Sequence, residues 1–406
     1  MKDEKLFNLF FLLWLITIFS TFSSVAIYPL FFILFSSCYF CYLALTHRLT
    51  IRKNDKYLII AIFCLIFWGT TVFLGNREYS NLVVFLKIII NLSFLIFTIL
   101  FCNDYRNQLY RNTKKITLFL ELIIFLSFIQ ILLNVFLTNS ILLPFTGVSN
   151  STAAFIISSK PIYFGIQHKN IWATKIVFIE IIYFSLYSFK IIKNTKFRLQ
   201  IFLMIALFNS IYTFSRTAQL AFFAFLLIFL YINLSRYNNI YIKIYLLGSF
   251  LLFAILSGAF VFFKLMHLDL SANSRVAHDG LLARFDIWLS FFKHSNKLDF
   301  IMGNGISYGS IFIPKYSGWS NDNMHNVFLN TLLDMGYLGF VFYLSILYFV
   351  FNGIVKMFKY KCLLFIPFFI VINSHYLGYD NDIVVYFSLL IILSQYIIRK
   401  NALSEE

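Results

Sequence analysis

Three residues in the second half of the chain combine the chemistry and the setting needed for group transfer. Arg216 stands in "TFSRTAQL" between two apolar runs, Arg284 in "LLARFDIW", and His325 in "NMHNVFLN" at the edge of a third apolar run. A guanidinium binds phosphate through paired, charge-assisted hydrogen bonds. An imidazole, with an unperturbed pKa of about 6.5, accepts a proton at neutral pH. Two arginines and a histidine facing one cavity would therefore suit a pyrophosphate-activated donor and a hydroxyl acceptor. Each residue also has a plainer reading. Arg216 can snorkel to lipid head groups, Arg284 can be the polar face of an amphipathic helix, and His325 is one of seven histidines.

The elements that must position these groups are apolar almost throughout. Sixty per cent of the 406 residues are hydrophobic, 12% are charged, and Phe alone occurs 54 times. A soluble domain cannot hide so much apolar surface. Runs of roughly 20 apolar residues suit helices that cross hydrocarbon, and about twelve recur along the chain. They are expected near Leu6–Ala26, Leu30–Thr46, Tyr57–Gly75, Leu82–Cys102, Ile116–Leu137, Ile171–Ile192, Leu199–Phe214, Ala218–Leu234, Tyr241–Phe263, Val327–Phe351, Cys362–Leu377 and Ile383–Ile398. The runs are apolar on every side, unlike the alternating strands of a membrane barrel. The fold class expected is therefore all-α, a polytopic membrane protein forming a single transmembrane domain over residues 1–406.

The net charge of +16 follows topology and gives no sign of nucleic-acid binding. With both termini cytoplasmic, most of the 33 basic residues fall in the inside loops and termini, as the positive-inside bias requires. Lys2, Lys5, Arg48, Arg106, Lys193, Arg236, Lys356 and Arg399 are examples. Anionic lipid head groups are the partner this charge suits. The five cysteines fall in spans or at their inner ends, so no disulfide framework is expected outside. The first span reads as uncleaved.

Two outer segments are too long to be simple turns. The first, about 138–169, carries "KPIYFGIQHKN"; the second, about 264–325, is the largest hydrophilic region. Within the second, Leu281, Leu282, Phe285, Trp288, Leu289 and Phe292 recur at helical spacing, which predicts an amphipathic helix on the membrane or capping the bundle. A Gly303-Asn304-Gly305 turn follows. Charges inside the spans mark pathways or pairs, and Lys87 with Glu121 is the structural pair expected; Lys175 and Glu180 are expected to be paired as well. Tyr376, Asp380 and Asp382, at another outer turn, are placed to line the same cavity as His325. No metal-binding or nucleotide-binding pattern is present, so neither metal nor cofactor is expected.

In combination these motifs resemble the O-antigen polymerase and O-antigen ligase superfamily. His325-Asn326, nine residues, and then Gly336-Tyr337-Leu338-Gly339 match its principal mark. Ser215-Arg216-Thr217 matches a second, and Arg284 with Trp288 ahead of Gly303-Asn304-Gly305 a third. The resemblance covers about Gln167 to Gly339. It implies a GT-C-like helical enzyme of the bacterial inner membrane, acting at the outer face on undecaprenyl-pyrophosphate-linked glycans. It further implies that Arg216 and Arg284 hold the pyrophosphate, that His325 is the general base, and that a chain-length regulator is a partner. Asn326, His168, Asn170 and Asp380 are expected to line the cavity, and Gly336 and Gly339 to let the tenth span pack closely on a neighbouring one. Polymerase is favoured over ligase by the His168-Lys169-Asn170 run and the loop into His325. A lipid-linked glycan transporter is the third reading; it would call for inverted repeats and charges at mid-membrane.

Overall fold

The computed structural model describes residues 2–23, 27–46, 51–137, 169–192, 196–213, 215–234, 248, 281–354, 358–374 and 377–405. Every regular element among them is helical. In chain order these are α1 (Lys2–Ser20), α2 (Tyr28–Thr46), α3 (Lys53–Gly75), α4 (Leu82–Asp104), α5 (Arg106–Arg111), α6 (Thr113–Leu137), α7 (Lys169–Ser188), α8 (Lys196–Tyr212) and α9 (Arg216–Leu234), followed by α10 (Leu281–Lys293), α11 (Gly309–Ser317), α12 (Val327–Ile354), α13 (Phe358–Ile372) and α14 (Asn381–Glu405). Each expected span that falls in the described residues coincides with a helix; the ninth, 241–263, lies outside them. Among the described residues eight helices, α2, α3, α4, α6, α7, α9, α12 and α14, are long and apolar enough to cross a membrane, and α8 is a shorter apolar one.

The surface explains why hydrocarbon is the solvent. Leu45, Phe67, Val83 and Tyr348 are all more than 60% exposed, on helices whose residues are mostly apolar. A helix satisfies its own backbone groups, which a bilayer core demands. The centre of the bundle is α7 and α14, each buried along nearly its whole length. Their rings interlock with α13, Phe178 stacking on Tyr386 at 4.4 Å and Tyr386 on Phe368 at 5.3 Å.

An ion pair at one end and lysine–carbonyl hydrogen bonds at the other fix the direction of these helices. Lys175 of α7 bonds Asp382 of α14 at 2.8 Å and also donates to the Thr21 carbonyl. At the other end, Lys400 donates to the carbonyls of Phe189 and Lys190 at 2.7 and 3.2 Å. The two helices are therefore parallel. The ends that carry Lys175 and Asp382 share one face of the bundle with the C-terminal end of α13 and with the short turn between α8 and α9.

The pairing expected between Lys87 and Glu121 does not form. Lys87 pairs with Asp380, while Glu121 pairs with Arg198 and accepts from the Tyr183 hydroxyl at 3.0 Å. The reason is length. Lys87 lies near the start of α4 and Glu121 near the start of α6, and the whole of α4 separates those two ends. At 1.5 Å per residue, Lys87 is roughly 25 Å from the end of α4 that leads to Glu121. Lys175 is paired as expected, although its partner is on another helix. Glu180 instead accepts an amide hydrogen bond from Asn209 at 3.1 Å.

Candidate active site

The site begins at a backbone turn. His325 has φ of +50°, in the left-handed region that few non-glycine residues adopt. It holds this conformation because both neighbours are tied down. Its own N–H donates to Asn323 Oδ1 at 2.9 Å. Met324 donates its N–H to Asn330 Oδ1 at 2.8 Å, and its carbonyl accepts from Trp288 Nε1 at 2.7 Å. Asn326 then caps α12, its Oδ1 accepting from Phe328 and Leu329 at 3.0 and 3.1 Å, as an amide at a helix start should. Its Nδ2 donates to Asn373 Oδ1 at 2.8 Å, tying the start of α12 to the end of α13.

Arg284 belongs to this arrangement through α10. It stands one helical turn before Trp288, the residue that grips the Met324 carbonyl. Ala283, Ile287 and Phe291 form the adjoining buried stripe of α10, where Ile287 and Phe291 pack with Phe312, Ile313, Met324 and Leu333. Helix α11, which the sequence had not suggested, supplies Phe312 and Ile313, two of the six buried residues of that small core.

Below His325, α12 is broken. Gly336 has φ +66° and ψ −166°, and the break frees carbonyls that the turn at Gly303–Gly305 takes up. Asn304 N–H donates to Leu333 O at 3.2 Å, Gly305 N–H to Asp334 O at 3.2 Å, and Tyr337 N–H to Phe300 O at 2.7 Å. The approach is so close that a Cβ on Gly303 would lie 2.4 Å from the Asp334 carbonyl oxygen. Asp334, fully buried, accepts from the Tyr308 N–H at 3.0 Å, with the Ser307 and Gly309 amides alongside. Burial raises the pKa of the nearby Tyr308 phenol. From the far side, Trp68 Nε1 donates to Met335 O at 2.7 Å, and Asn76, Ser80 and Asn81 clasp the turn at Gly303 and Ile306. Gly336 and Gly339 were expected to bring another span close. At Gly336 the structure brings a loop instead, because only a broken helix offers carbonyls for a loop to bond.

The remaining residues fall as follows. Arg216 is the first residue of α9 and is exposed, with the buried Ser215 carbonyl accepting from Gln219 at 2.9 Å. The order of helices places it at the same end of the bundle as His325. Asn170, half-buried, is in the first turn of α7 at that end. Asp380 is also there, but it is engaged with Lys87 and accepts from the Leu377 N–H at 2.8 Å. His168 and Tyr376 lie outside the described residues. Asn330, Asp334 and Asn373 had no place in the sequence reading, and Asn323 entered it only as one of the clustered amides beside His325. Asn330 and Asp334 carried the one usable signal, polar residues four apart within an apolar run.

The fold and this end of the bundle define a multi-pass helical membrane protein with a polar site at one end of its helices. Residues 201–344 match the family model described as O-antigen ligase. That segment runs from α8 to α12 and contains Arg216, Arg284 and His325, and it places this part of the chain in the O-antigen polymerase and ligase superfamily. No curated protein matches the chain.

Proposed function

We propose that the protein is a glycosyltransferase that joins lipid-linked oligosaccharide repeat units at the outer face of the bacterial inner membrane, as a surface-polysaccharide polymerase. In this reading the chain crosses the membrane about twelve times, both termini are cytoplasmic, and the segment 264–325 faces outward. The acceptor hydroxyl attacks the anomeric carbon of a polyprenyl-pyrophosphate-linked glycan. The bond from that carbon to the phosphate oxygen breaks, the pyrophosphate leaves with the electron pair, and the hydroxyl proton passes to His325. Arg216 and Arg284 bind the pyrophosphate, where charge grows in the transition state and fixed cations act most strongly. Proton removal by a placed imidazole contributes roughly 10²–10⁴-fold in typical enzymes. No metal or cofactor takes part in the steps proposed.

The observation that carries this reading is the conformation of His325. Backbone strain of this kind persists only where surroundings over-determine it, and it clusters at active sites. Here Asn323, Asn330 and Trp288 supply that constraint, and Trp288 shares its helix with Arg284. The test uses purified protein in liposomes with undecaprenyl-pyrophosphate repeat units as sole substrate. A ladder of products that disappears in His325→Ala establishes the polymerase. Transfer seen only after lipid A–core is added makes the protein a ligase, the second reading compatible with the family match. A chain-length regulator would be the partner that narrows the ladder.

A further inference from the structure

Helix α10 has more apolar surface than the bundle covers. Successive residues turn by about 100°, so Ala283, Ile287 and Phe291 form one stripe, and this stripe is buried. Phe285, Leu289 and Phe292 form a second stripe on a different side, and they are exposed, Leu289 and Phe292 each at 63%. Arg284 and Trp288 fall between the two. The polar side of the helix, with Asp286 and Lys293, is the remaining sector.

The exposed stripe is linked to the apolar flank of α12 by a run of rings that passes under the surface at the buried Phe291. Phe292 is in edge contact with Phe291 at 5.4 Å and Phe291 with Phe300 at 5.8 Å, and the Phe300 and Tyr337 rings lie tilted at 5.7 Å. Ile301, 72% exposed, and Met302 follow Phe300 directly. From Tyr337 the exposed apolar surface runs on through Leu338, Val341, Leu344 and Tyr348 of α12, a helix apolar enough to cross a membrane.

We propose that α10 is seated in the bilayer interface, with Phe285, Leu289, Phe292, Ile301 and Met302 among the acyl chains of the leaflet nearest His325. The occupant of this face is lipid, because the surface it continues is the lipid-facing side of a spanning helix. The seat is apolar in origin. Between residues 281 and 325 the bases Arg284, Lys293, Lys297 and Lys315 are nearly balanced by Asp286, Asp299 and Asp322, so the affinity needs no anionic lipid. Two-sided burial of this kind holds a helix in the plane of the interface. Where the reading under Proposed function holds, the seat also sets Arg284, at the seam between protein and lipid, at the height of a lipid phosphate.

The test is photo-cross-linking in zwitterionic proteoliposomes without any glycan donor, so it is independent of the chemistry proposed above. Benzoylphenylalanine replaces Leu289, Phe292, Asp286 or Lys293 one at a time, with Val341 of α12 as the lipid-facing reference, and the bilayer carries acyl-labelled lipid. The expected result is lipid capture at 289 and 292 comparable to that at 341 and several-fold above that at 286 and 293. Adding anionic lipid should leave these ratios unchanged. Capture at 289 and 292 no greater than at 286, or capture of protein there in place of lipid, overturns the proposal. These exposed positions lose little packing on substitution, and elution as a single species confirms each variant's fold before reconstitution.

Discussion

The docking of the Gly303–Gly305 turn into the break of α12 can be tested through Gly336→Ala. The dihedral pair at Gly336, φ +66° and ψ −166°, is one that glycine adopts almost alone. Holding another residue there costs about 1–3 kcal/mol. The added Cβ would also lie 2.7 Å from Phe300 O, 2.8 Å from Gly303 N and 2.8 Å from Ile301 O. All three are backbone atoms, so no side chain can swing aside. Relief requires the 300–305 segment to lift, which breaks the three backbone hydrogen bonds across this junction, each worth about 1 kcal/mol. The total expected is about 4–6 kcal/mol. Two companions separate the contributions. Gly318 has φ +74° with nothing near its Cβ position, so Gly318→Ala should cost about 1–2 kcal/mol through the left-handed backbone alone. Gly75 has neither feature, and Gly75→Ala should be neutral. The assay is a sodium dodecyl sulfate titration of the micellar protein followed by tryptophan fluorescence, to which Trp68, bonded at Met335 O, contributes. A gap of about 3 kcal/mol between Gly336→Ala and Gly318→Ala corresponds to about a hundredfold in the folded-to-unfolded ratio. Equal midpoints for those two variants would refute the docking argument.

Three further outcomes follow from the same contacts. Removing one member of the buried Lys175–Asp382 pair should cost about 3–5 kcal/mol, because it strands a charge. The double replacement Lys175→Met with Asp382→Leu should recover most of that loss in the same titration. Asp334→Ala leaves the amides at the start of α11 without their acceptor and should lower stability by about 1–3 kcal/mol, whereas Asp334→Asn, which keeps an acceptor oxygen, should lose less; equal losses would show that these hydrogen bonds do not matter. Trp288→Phe keeps the ring but drops the bond to Met324 O, and it should reduce the rate of glycan joining while leaving the detergent midpoint within about 1.5 kcal/mol of the parent.

The chain's own sequence determined the class of the protein and the ends of most helices. Phe, Leu and Ile in runs of bilayer length have one stable arrangement in hydrocarbon, and that constraint is local to each run. It also exposed Arg216, Arg284 and His325, because a charged or titratable side chain stands out against so apolar a background. The apolar spacing of α10 was legible for the same reason, although the burial of Ala283, Ile287 and Phe291 rather than the other stripe was not. Only the tertiary structure decided which charges meet, since Lys87 and Asp380 are nearly 300 positions apart and pairing depends on which helix ends share a face. Tertiary structure likewise decided that α12 breaks at Gly336. A glycine in an apolar run permits an intact helix or a break, and the break is stable here because the Gly303–Gly305 turn, Trp68 and the α3–α4 connection bond the groups it frees. The posture of His325 has the same origin, for its constraint comes from Asn323, Asn330 and Trp288, and Trp288 approaches from a separate helix.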